Sequence, residues 1–188
     1  GVGFYQIENY VGAADAFKAA ATASVNDRDA LELWARSLLI EYPAGEGEPE
    51  IPAEALADLD EAATRWLELD PYSQNAHIIL AQTVNREGDE ARASQLVEAI
   101  EGLQVTMDNL QLQRGQGGGG AVVGTMTNKS LDAGTPITVE VTFYDAAGTV
   151  LATETTTVSA PAADASAQFR VGFPGDAYIG GYGYTLSF

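Results

Sequence analysis

The sequence predicts an α+β chain in two domains, an α-helical hairpin array over residues 1–102 followed by an antiparallel β-sandwich over 104–188. Three observations carry this. Residues 1–102 are rich in Ala, Leu and Glu, whereas 105–188 are rich in Thr, Val, Gly and aromatics, compositions that favour helix and strand respectively. The apolar period changes from 3.6 to 2 residues across the same boundary. Charge is divided unevenly as well: up to residue 114 there are 21 acidic and 7 basic residues, and beyond it 6 and 2.

The helical elements follow in order. Residues Gly12 to Ala20 set small residues and Phe17 on one face at spacings of three and four. Leu31, Trp34, Ala35 and Leu38 repeat that face on a second helix, which Asn26 or Asp27 is placed to cap. A third runs from Leu56 to Leu69 and stops at Asp70-Pro71, because proline cannot continue a helix. Ala76, Leu80, Ala81 and Val84 mark a fourth, broken by Gly88-Asp89, and Ala93, Val97 and Ile100 a fifth. Phe17, Trp34 and Trp66 are the expected core aromatics.

These helices resemble the tetratricopeptide repeat, a helical hairpin recurring every 34 residues or so. The small residue at the helix crossing falls at Gly1, Ala35 and Ala81, gaps of 34 and 46. The surplus of 12 lies in the acidic, Pro- and Gly-rich stretch Tyr42 to Ala53, read as an inserted loop at 42–53. Helix-B triads fall at Ala13, Phe17 and Ala20, then Leu59, Ala63 and Trp66, then Ala93, Val97 and Ile100, with the first repeat truncated. A generic array of helical hairpins is the other reading.

The second half reads as strands over 105–114, 121–128, 137–144, 150–159, 167–173 and 182–188, with Asp145–Gly148 a hairpin turn. The glycine run within 115–120 reads as too flexible to order itself. Val122–Asn128, Val141–Gly148, Phe169 and Ile179–Tyr184 together resemble the bacterial FxLYD domain, of whose signature only Tyr144-Asp145 are kept. That resemblance implies an immunoglobulin-like sandwich, a place in the bacterial cell envelope on its periplasmic or extracellular face, and no shared catalytic site.

Several chemistries are excluded by composition. With no cysteine there are no thiolate sites, and the single histidine, His77, forbids a multi-histidine metal centre and reads as a packed or capping residue. A net charge of −18 repels phosphate backbones, which argues against nucleic acid. It fits either a salt-adapted surface with only two lysines, Lys18 and Lys129, or a basic partner. No stretch approaches the roughly 20 apolar residues of a membrane helix. The chain opens on Gly1 rather than methionine, so the start reads as processed or trimmed and a preceding signal or anchor stays open. Gly117–Gly120 lacks the Lys-Ser/Thr of a phosphate loop, and no serine sits in a glycine elbow. The carboxylate groups Asp27 with Asp29, and Asp58 with Asp60 and Glu61, read as capping or solvated. Glu46, Glu48 and Glu50 lack calcium-loop spacing and make at most a weak cation site, so no cofactor or metal is expected.

What remains is binding. Carried over from the repeat resemblance, a groove face holds Tyr5, Asp29, Glu32, Arg36, Asn75, Ile78, Gln82, Asn85 and Arg86. Arg36 and Arg86 are its expected clamps for a carboxylate or peptide backbone. The second candidate surface is Tyr178–Tyr184, whose glycines admit a partner close to the backbone, although Tyr182 and Tyr184 also suit a last strand facing inward. The leading reading is a noncatalytic protein–protein interaction scaffold of an envelope assembly. An accessory, stabilising subunit of a membrane-bound enzyme complex is the rival, and a carboxylate-dependent hydrolase the third.

Overall fold

A computed structural model describes residues 1–7, 9–45 and 50–188, with only the backbone of Tyr5. Among the described residues six helices come first: α1 (Val2–Gln6), α2 (Tyr10–Ala23), α3 (Arg28–Glu41), α4 (Ala53–Leu69), α5 (Gln74–Arg86) and α6 (Glu90–Glu101). Six strands follow: β1 (Val105–Arg114), β2 (Gly120–Asn128), β3 (Pro136–Tyr144), β4 (Val150–Ser159), β5 (Ser166–Gly172) and β6 (Gly181–Ser187). Helix-then-strand order is as expected.

Helix starts are set by short polar side chains that satisfy otherwise unpaired N–H groups. Asn9 accepts from Gly12 N–H, Asp27 from Ala30, Ser73 from Ala76 and Asp89 from Arg92. Gly88, at φ 89°, takes the left-handed conformation that ends α5. Consecutive helices pack in chain order around a core of Ala, Leu and aromatic side chains. Phe17, Trp34 and Trp66 all sit in it, at 7%, 1% and 0% exposure. His77 is buried, its Nδ1 2.9 Å from the Ser73 carbonyl.

The immunoglobulin-like β-sandwich is the expectation the structure corrects. Six strands form two small three-stranded antiparallel sheets, ordered β1-β2-β5 and β4-β3-β6. An immunoglobulin domain needs seven strands in a four-plus-three arrangement. Here the residues that would have to supply more strand are irregular, at 115–119 and 173–180. The inward side chains of both sheets meet in one apolar cluster that includes Met107, Met126, Val139 and Phe143.

The glycine run is also ordered by its neighbours. Gly119 N–H donates to the Ala177 carbonyl at 2.9 Å, and Gly115 N–H to Gly119 at 3.1 Å. Gly118 has φ 103°, and a Cβ there would lie 1.8 Å from the Asp176 carbonyl oxygen. Glycine is therefore demanded by contact and not by flexibility.

Candidate functional site

The groove residues separate into four places. On α3, Asp29, Glu32 and Arg36 lie about one turn apart, but Asp29 faces the strand half of the molecule while Glu32 pairs along its own helix. Asp29 accepts from Leu112 N–H at 2.9 Å and from the Tyr182 hydroxyl at 2.7 Å. Glu32 pairs with Arg28 through one oxygen and lies 2.9 Å from Arg36 Nε through the other. The Arg36 guanidinium stands 5.9 Å from the Trp66 ring, within cation–π range. With Leu39, Ile40, Asn75 and Ile79 it lines a shallow cleft between α3 and α5.

Along α5, Asn75, Ile78, Gln82 and Asn85 form one exposed stripe, with Ile78 at 42% exposure. Gln82 and Asn85 border a different cleft, between α5 and α6, of about 600 Å³. Arg86 belongs to a third, beside Pro43, Ile51 and Leu56. Its Nη1 donates to the Tyr42 carbonyl at 2.9 Å, and burial pulls its pKa below the ordinary arginine value. The Tyr5 side chain lies outside the described residues. Both expected clamps, Arg36 and Arg86, are thus engaged within the fold.

A group that sequence reasoning missed joins the helical half to the strands. Arg28, 4% exposed, donates from Nε (3.0 Å) and Nη2 (2.5 Å) to one oxygen of the fully buried Asp70. The same oxygen accepts from Trp66 Nε1 at 3.3 Å, and the other from the Tyr184 hydroxyl at 2.6 Å. Arg28 Nη1 also reaches the Leu110 carbonyl at 3.3 Å, beside an irregularity in β1 where Asn109 has φ 52°. Burial opposes the Arg28 charge, but Tyr182, Asp70, Glu32 and Asp29 outweigh it and raise its pKa well above the ordinary value. Burial, with the adjacent acidic side chains, likewise pushes the Tyr182 and Tyr184 phenols well above theirs.

Close backbone approach completes this seam. Tyr182 N–H donates to the Asn26 carbonyl at 3.0 Å, and a Cβ on Gly181 would lie 1.9 Å from that oxygen. The glycines of 178–184 therefore admit close neighbours, but these belong to the chain itself: the turn between α2 and α3 at Gly181, the turn between β3 and β4 at Gly180, and Leu69 at Gly183. Arg114 pins the same corner, donating to the Ile179 and Gly180 carbonyls at 3.0 and 3.1 Å and pairing with Asp27 at 3.3 Å. Asp27 is raised by burial despite the Ala30 N–H and Arg114.

The signal for Arg28 and Asp70 was present in their positions. A cation at the first residue of α3 and an anion at the C-cap of α4 each oppose their own helix dipole. Each is unfavourable at its own helix terminus and suited to the other.

The carboxylate groups considered for acid–base chemistry have cationic neighbours. Asp58 is 2.8 Å from Lys18, Glu61 2.8 Å from Arg65, and Asp60 3.7 Å from Arg92. A cleft of about 320 Å³ between α2 and α4 does gather Asp15, Glu41, Glu54 and Asp58, but Lys18 holds the last of these. Among the described residues no cluster of three acidic or histidine side chains is arranged to hold a metal. Glu50 is exposed, while Glu46 and Glu48 lie outside the described residues. Among the described residues, too, no helix is long and apolar enough to cross a membrane.

No family model matches the chain, and no curated protein matches its sequence. Among solved structures it is similar, at a TM-score of 0.24 and 13% identity, to the alkylpurine DNA glycosylase AlkC of Pseudomonas fluorescens bound to DNA containing an abasic-site analogue. The similarity covers 74% of this chain and 42% of that one, so this chain spans less than half the glycosylase. A score that low transfers neither fold nor activity; among the described residues, six helices join two small sheets through a buried Arg28–Asp70–Tyr184 group.

Proposed function

We propose that the chain is a noncatalytic protein-interaction module, and that its helical half, through α5, is the part that meets another protein. One observation carries this reading. Arg28, Asp29, Glu32 and Arg36 of α3 are paired within the fold, whereas the α5 stripe Asn75, Ile78, Gln82 and Asn85 is exposed and flanked by clefts on both sides. A stripe with one half-exposed isoleucine among amides is a surface able to bury an apolar anchor and hydrogen-bond around it. An envelope assembly as the setting rests on the sequence resemblance alone.

Affinity purification from the native source tests this with the wild type and Ile78→Arg/Gln82→Arg. The expected outcome is a protein recovered stoichiometrically with the wild type and lost with the variant, their melting curves coinciding. Equal recovery by both overturns the assignment to α5.

A further inference from the structure

Resting on that reading, we infer that the cleft between α5 and α6 receives an amphipathic helix carrying basic flanks from another protein. The cleft is about 600 Å³, and its floor is made of small or slender side chains, Ala81, Ala93, Ser94 and Val97. Small floor residues allow two helix axes to approach within about 8–10 Å. Helix α6 contributes no fully buried side chain, and Val97 is 49% exposed. Val97 stands on the same stripe as Ala93 and Ile100, so an apolar face continues past what the helical core covers.

Charge decides the occupant. Glu90 and Glu98 stand on the cleft wall two turns apart, no cation lines it, and among the described residues neither glutamate forms an ion pair. The only arginine of α6, Arg92, pairs instead with Asp60 at 3.7 Å. A second copy of this chain would bring its own net −18 against these carboxylates. A helix with leucine or isoleucine at spacings of three and four, and Lys or Arg to either side, would cover Val97 and neutralise Glu90 and Glu98 together. The eight residue steps from Glu90 to Glu98 span about 12 Å of helix axis, which sets the contact at roughly two turns.

Three synthetic peptides of about 14 residues, some four turns, test this on the whole chain. One has a leucine stripe with lysine flanks, one the same stripe with glutamate flanks, and one scrambles the first. Fluorescence anisotropy should show saturable binding of the lysine-flanked peptide only, weakening as NaCl rises from about 0.05 M to about 0.5 M. Val97→Glu should weaken it by about tenfold or more, and Glu90→Lys/Glu98→Lys should shift preference to the glutamate-flanked peptide. Both substitutions lie on exposed positions, and unchanged melting curves confirm the fold. No binding, equal binding of the two flanked peptides, or binding indifferent to both variants overturns the inference. So does sedimentation showing a dimer that Val97→Glu dissolves, because a second copy would then be the occupant. If the peptides fail while the α5 stripe still captures its protein, the occupant is wrong and the module reading stands; loss of both removes both.

Discussion

Arg28 and Asp70 are each of the wrong sign for the helix terminus they occupy, and their mutual contact is the reason the molecule tolerates them. Removing one partner of a buried pair leaves the other charge uncompensated, which costs about 3–5 kcal/mol. Arg28→Ala should lower the urea midpoint accordingly, and Tyr184→Phe, which deletes one hydrogen bond to a charged acceptor, should cost about 1.5–3 kcal/mol. The two phenols add a pH dependence whose sign is fixed. Tyr182 and Tyr184 hold their protons more tightly folded than unfolded. Their contribution is therefore complete below the usual tyrosine value near 10 and is lost as pH rises past it toward the folded-state values. Melting curves taken from about pH 8 to about pH 11 should fall more steeply for the wild type than for Tyr182→Phe/Tyr184→Phe. At this scale the sequence is least legible: Asp27 and Asp29 look like any carboxylates at a helix start. Only contacts from residues some 80 to 150 positions away, Leu112 and Tyr182, make Asp29 structural.

Helices and strands were legible because local signals fix them. Capping side chains, Pro71 and Gly88 bound the helices, and period-two alternation with the Asp145–Gly148 turn bounds β3 and β4. Pairing of strands across the chain has no such local mark, so six correctly placed strands were assigned to the wrong architecture. For a related reason the repeat spacing aligned α3 with α5 but carried no record of the strands that bond Asp29. Two substitutions test the elements. Trp34→Ala, which removes a side chain 1% exposed, should cost about 3–5 kcal/mol by urea titration. Gly181→Ala should cost about 1–3 kcal/mol or more, because its methyl group would meet the Asn26 backbone and not a movable side chain.

At the scale of the whole molecule, net −18 on 188 residues is a compact charge that repels itself. Raising NaCl from about 0.1 M to about 1 M shrinks the screening length from about 10 Å to about 3 Å. The melting temperature should rise over that range, and a flat or falling curve would contradict this electrostatic account. Two apolar clusters, one helical and one between the sheets, meet at a seam where Tyr72 packs against the sheets but where directed polar groups also cross. Apolar surfaces forgive approximate matches, since burial has no direction. Hydrogen bonds aimed from Tyr182, Tyr184, Arg28 and Arg114 at single oxygens do not. A genetic exchange that replaced only the helices, or only the strands, would present donors to missing acceptors, so the halves can be inherited only as a matched set.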